Sequence, residues 1–483
     1  MELELYIENL GAIEKAEFTV NPLTVLAGQN GTGKSFVTKF LYSVLKVLNQ
    51  DVYKIELFKK FNQFLQNSNI LQEFIISSQN SAVLHSIAFI NEKKMDLINA
   101  ENLVYYSDLS YIKNSLNSLL PMFNEEIDEH IRKLTKNEKN VTNNSEINIS
   151  FNIKKTNALR LLEDNKLILN TIYKMLDKPE YTYFGIVKEF LITELKENFQ
   201  ISTIEQLIRH SEDKLIFEIK DKVSIYIEKN EIIISQMSYN IGKVLNLNRL
   251  VFFESPIYWR LSASFLKGLV SDRNFFYLAG NIKDERLTGI PQHFLDLREL
   301  VFANFKHGER PAFIEECADE LQSYLNGKFS SNGNDLAFET NQGQAIAKNL
   351  VSFGMTNLGV IQAVLSKNII NKGSFVFIDE PESNLHPEWQ AILAKILVKL
   401  AENGVFVVIT THSSDMLKAL DVYTSSLEQQ NFVSTQYFEK DGHLASFDEE
   451  EINNVGKIAL VRNKLLEPYA SLTFAKKGGF FDD

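Results

Sequence analysis

A single cysteine in 483 residues, Cys317, excludes a disulfide framework and any cysteine-rich zinc or iron–sulfur site, and it suits a reducing compartment. No uninterrupted apolar run reaches the ~18 residues of a bilayer span, so no membrane segment is expected. The opening MELELYIENL carries acids at positions 2 and 4 and lacks a basic stretch before an apolar run, so it does not read as a secretory signal. Basic charge is also short. Fifty lysines and arginines face 62 acids, a net charge of -12, which excludes a molecule whose whole surface coats nucleic acid but leaves local basic patches open. With 45% apolar residues the chain has ample material for a core, so wholly disordered and fibrous classes are excluded and a cytoplasmic globular protein is expected.

Chain breakers are scarce in one place. Between Leu41 and Leu245 the only glycines are Gly185 and Gly242 and the only prolines Pro121 and Pro179. Long regular elements are expected there, mostly helices, as over 53–76 and 157–176. The segment 135–146 (TKNEKNVTNNSE) reads as a polar connector. Two stretches depart from the helical pattern: 147–154 (INISFNIK) alternates as a strand would, and 215–234 (LIFEIKDKVSIYIEKNEIII) reads as a strand meander. The flanks are different. Alternating runs at 2–8 and 16–20 and short apolar runs at 23–27, 251–253, 375–378 and 405–409 predict strands, and residues 335–351 predict a hairpin turning at Asn341-Gln342-Gly343. Trp389, Ile392, Leu393, Ile396, Leu397 and Leu400 form one helical face that ends at Asn403-Gly404. Strands alternating with helices imply a mostly parallel sheet covered by helices.

The strand LTVLA runs into Gly28-Gln29-Asn30-Gly31-Thr32-Gly33-Lys34-Ser35, which satisfies G-x-x-x-x-G-K-[ST]. The glycines let main-chain amides turn toward a polyphosphate, Lys34 can reach its outer oxygens, and the Ser35 hydroxyl can ligate magnesium. Phe36, Val37, Phe40, Leu41, Val44, Leu45 and Leu48 recur at helical spacing, so a helix starts at the loop and aims its positive end at the phosphates. Residues 375–380, Phe-Val-Phe-Ile-Asp-Glu, form a buried strand ending in two acids. A parallel strand delivers these to the same sheet edge, where Asp379 can hold magnesium and Glu380 can take a proton from the attacking water. One strand–helix–strand unit later, His412 follows Thr410-Thr411 and can contact the γ-phosphate side. Cys317, His293, His307 and His443 show no ligand spacing and are expected in packing or at the surface. The acids Asp448 to Glu451 read as a solvated charge run.

Together, LYIENLGAIEKAEF…LTVLAGQNGTGKS, FVFIDEPESNLHPEWQ and VITTHSSDML resemble the ABC-type ATPase superfamily in the branch that includes SMC, RecF and OLD proteins. The likeness covers about 1–48 and 335–420 and says little about 50–245. It implies an α/β fold: a P-loop ATPase core with a mostly parallel sheet, an antiparallel β subdomain and a large helical insertion. On that reading residues 1–48 carry the Walker A loop (Gly28, Asn30, Gly31, Thr32, Gly33, Lys34 and Ser35). Residues 49–245 are the insertion with a meander near 215–236, and 246–483 carry the signature-like motif, Walker B, D-loop and H-loop. The implied ligands are ATP and Mg2+, with Ser35 and Asp379 on the metal and Glu380, His412 and Lys34 catalytic.

The family's LSGGQ signature is absent. Its counterpart here is Leu350-Val351-Ser352-Phe353-Gly354-Met355, whose Ser352 and Gly354 would meet ATP bound to a second copy in a head-to-tail dimer or higher homo-oligomer. A glutamine loop is not securely placed, Gln292 being one candidate, and Glu254-Ser255-Pro256 follows a strand near the site. OLD nucleases carry a further nuclease domain, for which the 71 residues after His412 are too few, so no nuclease centre is expected in this chain. The resemblance to stand-alone ATPases of prokaryotic phage-defence systems, such as the PARIS and Septu types, implies a separate effector encoded nearby, in such systems often a nuclease. The alternative is a RecF-like DNA-repair ATPase that binds DNA.

Overall fold

The computed structural model describes residues 3–72, 145–237, 247–261, 287–303, 309–332, 335–427 and 431–477, with Leu245 and single positions between 113 and 132. Five strands, β3 (Leu23–Gly28), β7 (Leu250–Phe253), β11 (Phe375–Asp379), β12 (Phe406–Thr411) and β13 (Val433–Phe438), form an all-parallel sheet in the order β13-β3-β12-β11-β7. Their alternation explains why the runs are apolar throughout. Leu23, Val25, Ala27, Val376, Ile378, Val407 and Ile409 enter a core on one face, while Leu26, Phe252, Phe375, Phe377 and Val408 enter a second core on the other.

The second core is shared with an antiparallel sheet, β2-β1-β4-β5-β6, built from β1 (Leu3–Leu10), β2 (Ile13–Val20), β4 (Lys214–Ile219), β5 (Val223–Glu228) and β6 (Glu231–Met237). The expected meander is therefore present, but β4 pairs with β1, so it extends the amino-terminal sheet and is not a subdomain of the insertion. Between the sheets lies α1 (Lys34–Leu48), whose Val37, Phe40, Leu41, Val44, Leu45 and Leu48 are buried. At ~1.5–3 kcal/mol per buried side chain these six contribute on the order of 10 kcal/mol, which anchors the loop in front of the helix.

Helix α4 (Pro179–Phe199) packs on α1, and α2 (Val52–Gln72) and α3 (Ser145–Asp177) pack on α4 and on each other. Tyr53 of α2 donates to the Met175 carbonyl at 2.6 Å, and Asn165 donates to Ser68 at 2.9 Å, tying α2 to α3. The run 147–154, read as a strand, is the first part of α3. None of the three sheets takes it up. A strand must find a neighbour for its main-chain bonds, whereas a helix satisfies them itself, and the strongly helical 157–176 continues backward through it. The connector 135–146 lies outside the described residues except for Ser145 and Glu146, which open α3, and the end of the 53–76 run lies outside them as well.

The first core is closed by α5 (Gln292–Phe302), α6 (Ala312–Leu325), α7 (Phe353–Ser366), α8 (Pro387–Glu402) and α9 (Ser414–Thr424). The expected hairpin is present as β9 (Asp335–Thr340) and β10 (Ala345–Ala347), joined by β8 (Gly327–Asn332). Helices α10 (Glu449–Val455) and α11 (Lys457–Lys477) follow. Part of the acidic run also shapes the chain locally. Asp448 caps α10 by accepting the Glu451 N–H at 2.6 Å, and three glutamates stand in the first turn. No helix among the described residues is long and apolar enough to cross a membrane.

Candidate functional site

β3 ends at Gly28 and α1 begins at Lys34, so the intervening loop must reverse within five residues. Gly33 has φ 94° and a Cβ there would lie 2.7 Å from Ile13 Cγ1; at Gly28 it would lie 2.6 Å from the Phe438 carbonyl oxygen. Both positions require glycine. Thr32 pins the loop by donating to the Gln29 carbonyl at 2.9 Å, while Asn30 and Gly31 are exposed. Lys34 is buried under the loop, donating to the Gly28 and Gln29 carbonyls at 2.9 and 2.7 Å. Burial lowers the affinity of its amine for a proton, and the Glu380, Asp379 and Glu382 carboxylates oppose that loss.

Asp379 ends β11 in register with Thr410 of β12. Its Oδ1 accepts the Ser35 hydroxyl at 2.9 Å, across 344 positions of chain, and the Thr410 hydroxyl as well. Burial pushes the carboxyl up, against the pull of those two hydroxyls and of Lys39. A buried anion held mainly by hydroxyls, with a serine oxygen beside it, presents the hard oxygen donors that magnesium prefers, so Ser35 and Asp379 fit that ion. Glu380 follows in a left-handed conformation, φ 51°, its N–H bonded to the Thr410 carbonyl at 3.1 Å. A non-glycine residue held there is strained and is kept only where the surroundings enforce it.

The carboxylate of Glu380 is 39% exposed and borders two cavities. One, about 250 Å³, is lined by Gly31, Gly33, Lys34 and Ser35. The other is an open cleft of about 930 Å³ lined by Asn30, Asn384, His412, Lys440 and Tyr469. His412 Nδ1 stands 3.4 Å from Glu380 Oε1 and 3.5 Å from Glu382 Oε1. The fold thus gathers Lys34, Ser35, Asp379, Glu380 and His412 at one edge of the parallel sheet.

Ser352 and Gly354 are not brought to that place in the same chain, and neither lines either cavity. Ser352 is the exposed amino-terminal cap of α7, its hydroxyl accepting the Met355 N–H at 3.2 Å. Gly354 is buried, and a Cβ there would come within 2.3 Å of the Asn384 carbonyl oxygen.

Gln292, considered for the glutamine loop, faces elsewhere. It donates to Asp296 at 2.7 Å within a cluster where Lys46 bridges Asp296 and Glu194 and Tyr42 donates to Asp296 at 2.9 Å. Glu254, directly after β7, is close enough to Asp379 for its charge to push that carboxyl up. Its Oε1 meets Lys39 at 2.6 Å and its Oε2 meets His293 Nε2 at 2.9 Å. Burial would raise this carboxyl, but His293 and Lys39 together hold it at about 2.

His293 is fully buried, in packing as one of the two expected settings, and it links Glu254 to Asn198 of α4, which accepts the His293 N–H at 2.8 Å. Burial lowers its own tendency to protonate. No local signal marks it, since its partners lie 39 and 95 positions away. Cys317 is buried, as expected, and His443 is at the surface, 3.4 Å from Glu14. His307 lies outside the described residues.

The AAA ATPase domain family matches residues 1–417. A stretch of 92 residues, 17% of the chain, is 35% identical to the Old nuclease of Escherichia phage P2 and spans 16% of that protein's length. Among solved structures, the Smc head domain with an extended coiled coil, bound to the C-terminal domain of ScpA from Pyrococcus furiosus, is 10% identical. It superposes with a TM-score of 0.37 over 94% of this chain and 98% of that one. The SMC head domain from Thermotoga maritima is also 10% identical, with a TM-score of 0.23 over 54% and 86% of the two chains.

Proposed function

The chain belongs to the AAA ATPase domain family, and from that premise we propose an ABC-type ATPase of the SMC- and OLD-like kind, an ATP-driven switch whose copies pair head to tail and control a separate effector. The observation that carries the chemistry is the Ser35–Asp379 hydrogen bond beside a cavity that Lys34, Ser35 and Glu380 line together. The loop amides and the Lys34 ammonium receive the phosphates of ATP and offset the charge that develops on them. Ser35 and Asp379 would hold magnesium, which when bound neutralises charge on the phosphate oxygens. Glu380, at the junction of cavity and cleft, takes the proton of the attacking water, and His412 steadies that water or the terminal phosphate.

Pairing is supported by the placement of Ser352. It caps an exposed helix start, which suits an anion, yet it does not line the Lys34 cavity of its own chain. Leu350, two residues earlier, is 81% exposed. In the proposed pair, Ser352 of one copy completes the Lys34 cavity of the other.

The effector reading rests on the resemblance to defence ATPases and on the net charge of -12, which suits a sensor or holder better than a part that grips and cuts nucleic acid. The nuclease activity in the name of the phage P2 relative belongs to that protein; here cutting is assigned to a partner.

Glu380→Gln tests the chemistry. ATP binding should persist while hydrolysis falls by roughly 10²–10⁴-fold, and unchanged turnover would sink the assignment. Purification with the product of the neighbouring gene should yield a complex. Hydrolysis stimulated by DNA and lost steeply with salt would instead favour the RecF-like alternative.

A further inference from the structure

The second acid after β11, Glu382, has no part in the chemistry above. The Glu382 side chain is 5% exposed, against 39% for Glu380. A carboxylate is kept from water at this level only where donors replace the solvent. Its Oε1 accepts the Thr411 hydroxyl at 2.8 Å and the His412 N–H at 2.9 Å. Its Oε2 is buried without a hydrogen-bond partner among the described residues. Burial pushes this carboxyl up, and the donors from His412 and Thr411 oppose it.

Both bonds to Oε1 come from the end of β12, the segment that delivers His412. The ring is affected too, since Nδ1 lies between Glu380 and Glu382 at 3.4 and 3.5 Å. Among the described residues no bond reaches Nε2. Two acids on the Nδ1 side favour a proton at that nitrogen, which leaves Nε2 open to the cleft that His412 lines. The pattern is that of a carboxylate orienting a histidine from behind.

We propose that Glu382 is a positioning residue for His412: its buried carboxylate clamps the main chain at 411–412 and turns the imidazole so that Nε2 faces the attacking water and terminal phosphate. This rests on the roles given above to Glu380 and His412. A purely structural acid would tolerate glutamine without effect on chemistry, because the amide oxygen can still accept from Thr411 and His412.

The test uses the full chain with 15N-labelled histidines, His412 being identified by its loss in His412→Ala. In the parent, neutral His412 should show the Nδ1–H tautomer. In Glu382→Gln that tautomer should give way to a mixture, with kcat lowered roughly 10–100-fold and the KM for ATP changed by less than about twofold. Glu382→Asp, which keeps the charge but withdraws it, should fall between the two and serves if the glutamine variant does not fold. In a His412→Ala background Glu382→Gln should cost nothing further.

An unchanged tautomer would overturn the proposal, as would an equal loss of turnover in the His412→Ala background. The spectrum is independent of turnover. Full-speed hydrolysis in Glu380→Gln would overturn the reading of the site, while loss of the Nδ1–H signal in Glu382→Gln would still support the hold of the Glu382 carboxylate on the imidazole.

Discussion

Replacing Glu254 by glutamine removes the carboxylate that both Lys39 and His293 contact. In the folded chain this carboxyl lies at about 2 instead of 4.5, because the gain from His293 and Lys39 exceeds the penalty of burial. A depression of that size corresponds to about 3 kcal/mol of folding free energy at pH 7. An acid depressed in the fold contributes in full above 4.5 and loses its contribution as pH falls toward about 2. Most of that contribution remains at pH 4 and less than half at pH 3.

Glutamine cannot ionise. The variant should therefore be less stable than the parent by on the order of 3 kcal/mol at pH 7, and the gap should narrow as the solution is acidified. Urea unfolding at several pH values measures this, and Trp259, buried five residues beyond Glu254, is a local fluorescent reporter. A gap absent at pH 7, or one that keeps its size at pH 3, would refute the charge coupling.

Two further substitutions probe the scaffold. Lys46→Met strands Asp296 and Glu194 in a buried cluster and should cost roughly 3–5 kcal/mol at pH 7.5; since Asp296 is held low by Lys46, its carboxyl should rise in the variant, and the loss should shrink at pH 5.5 in urea titrations. Gly354→Ala drives a Cβ to 2.3 Å from the Asn384 carbonyl and should destabilise by about 1–2 kcal/mol despite better helix propensity, whereas Gly185→Ala on α4, where a Cβ meets nothing, should be neutral or stabilising by up to about 1 kcal/mol in the same titrations.

What could be read from residues alone was whatever is local. The phosphate loop carries its own turn chemistry, and the strands at 23–27, 375–378 and 405–409 announce a sheet buried on both faces by being apolar throughout. The run 147–154 misled because four alternating pairs fit a strand, while the absence of a neighbour to pair with is a tertiary fact. The meander at 214–237 was legible as strands but not as partners of β1, since register across some 200 positions leaves no mark in either segment. Gln292 and His293 are adjacent, yet one faces Asp296 and the other Glu254. Nothing in a short window separates them, because direction on a helix is decided by what packs against it.

The order of strands in the parallel sheet also governs when the protein can become itself. β3, which carries the phosphate loop, lies between β12 and β13, and residues 23–28 therefore wait for neighbours from residues 406–438. At ~5–20 residues per second a ribosome needs roughly 20–75 s to make the intervening chain. Throughout that interval both edges of β3 are unpaired, and for most of it the loop has no Asp379 to meet. Contacts this distant in sequence form slowly and leave a strand open to wrong partners. A chain truncated before Val433, which leaves one edge of β3 unpaired, should therefore not hold ATP however intact its first lobe is.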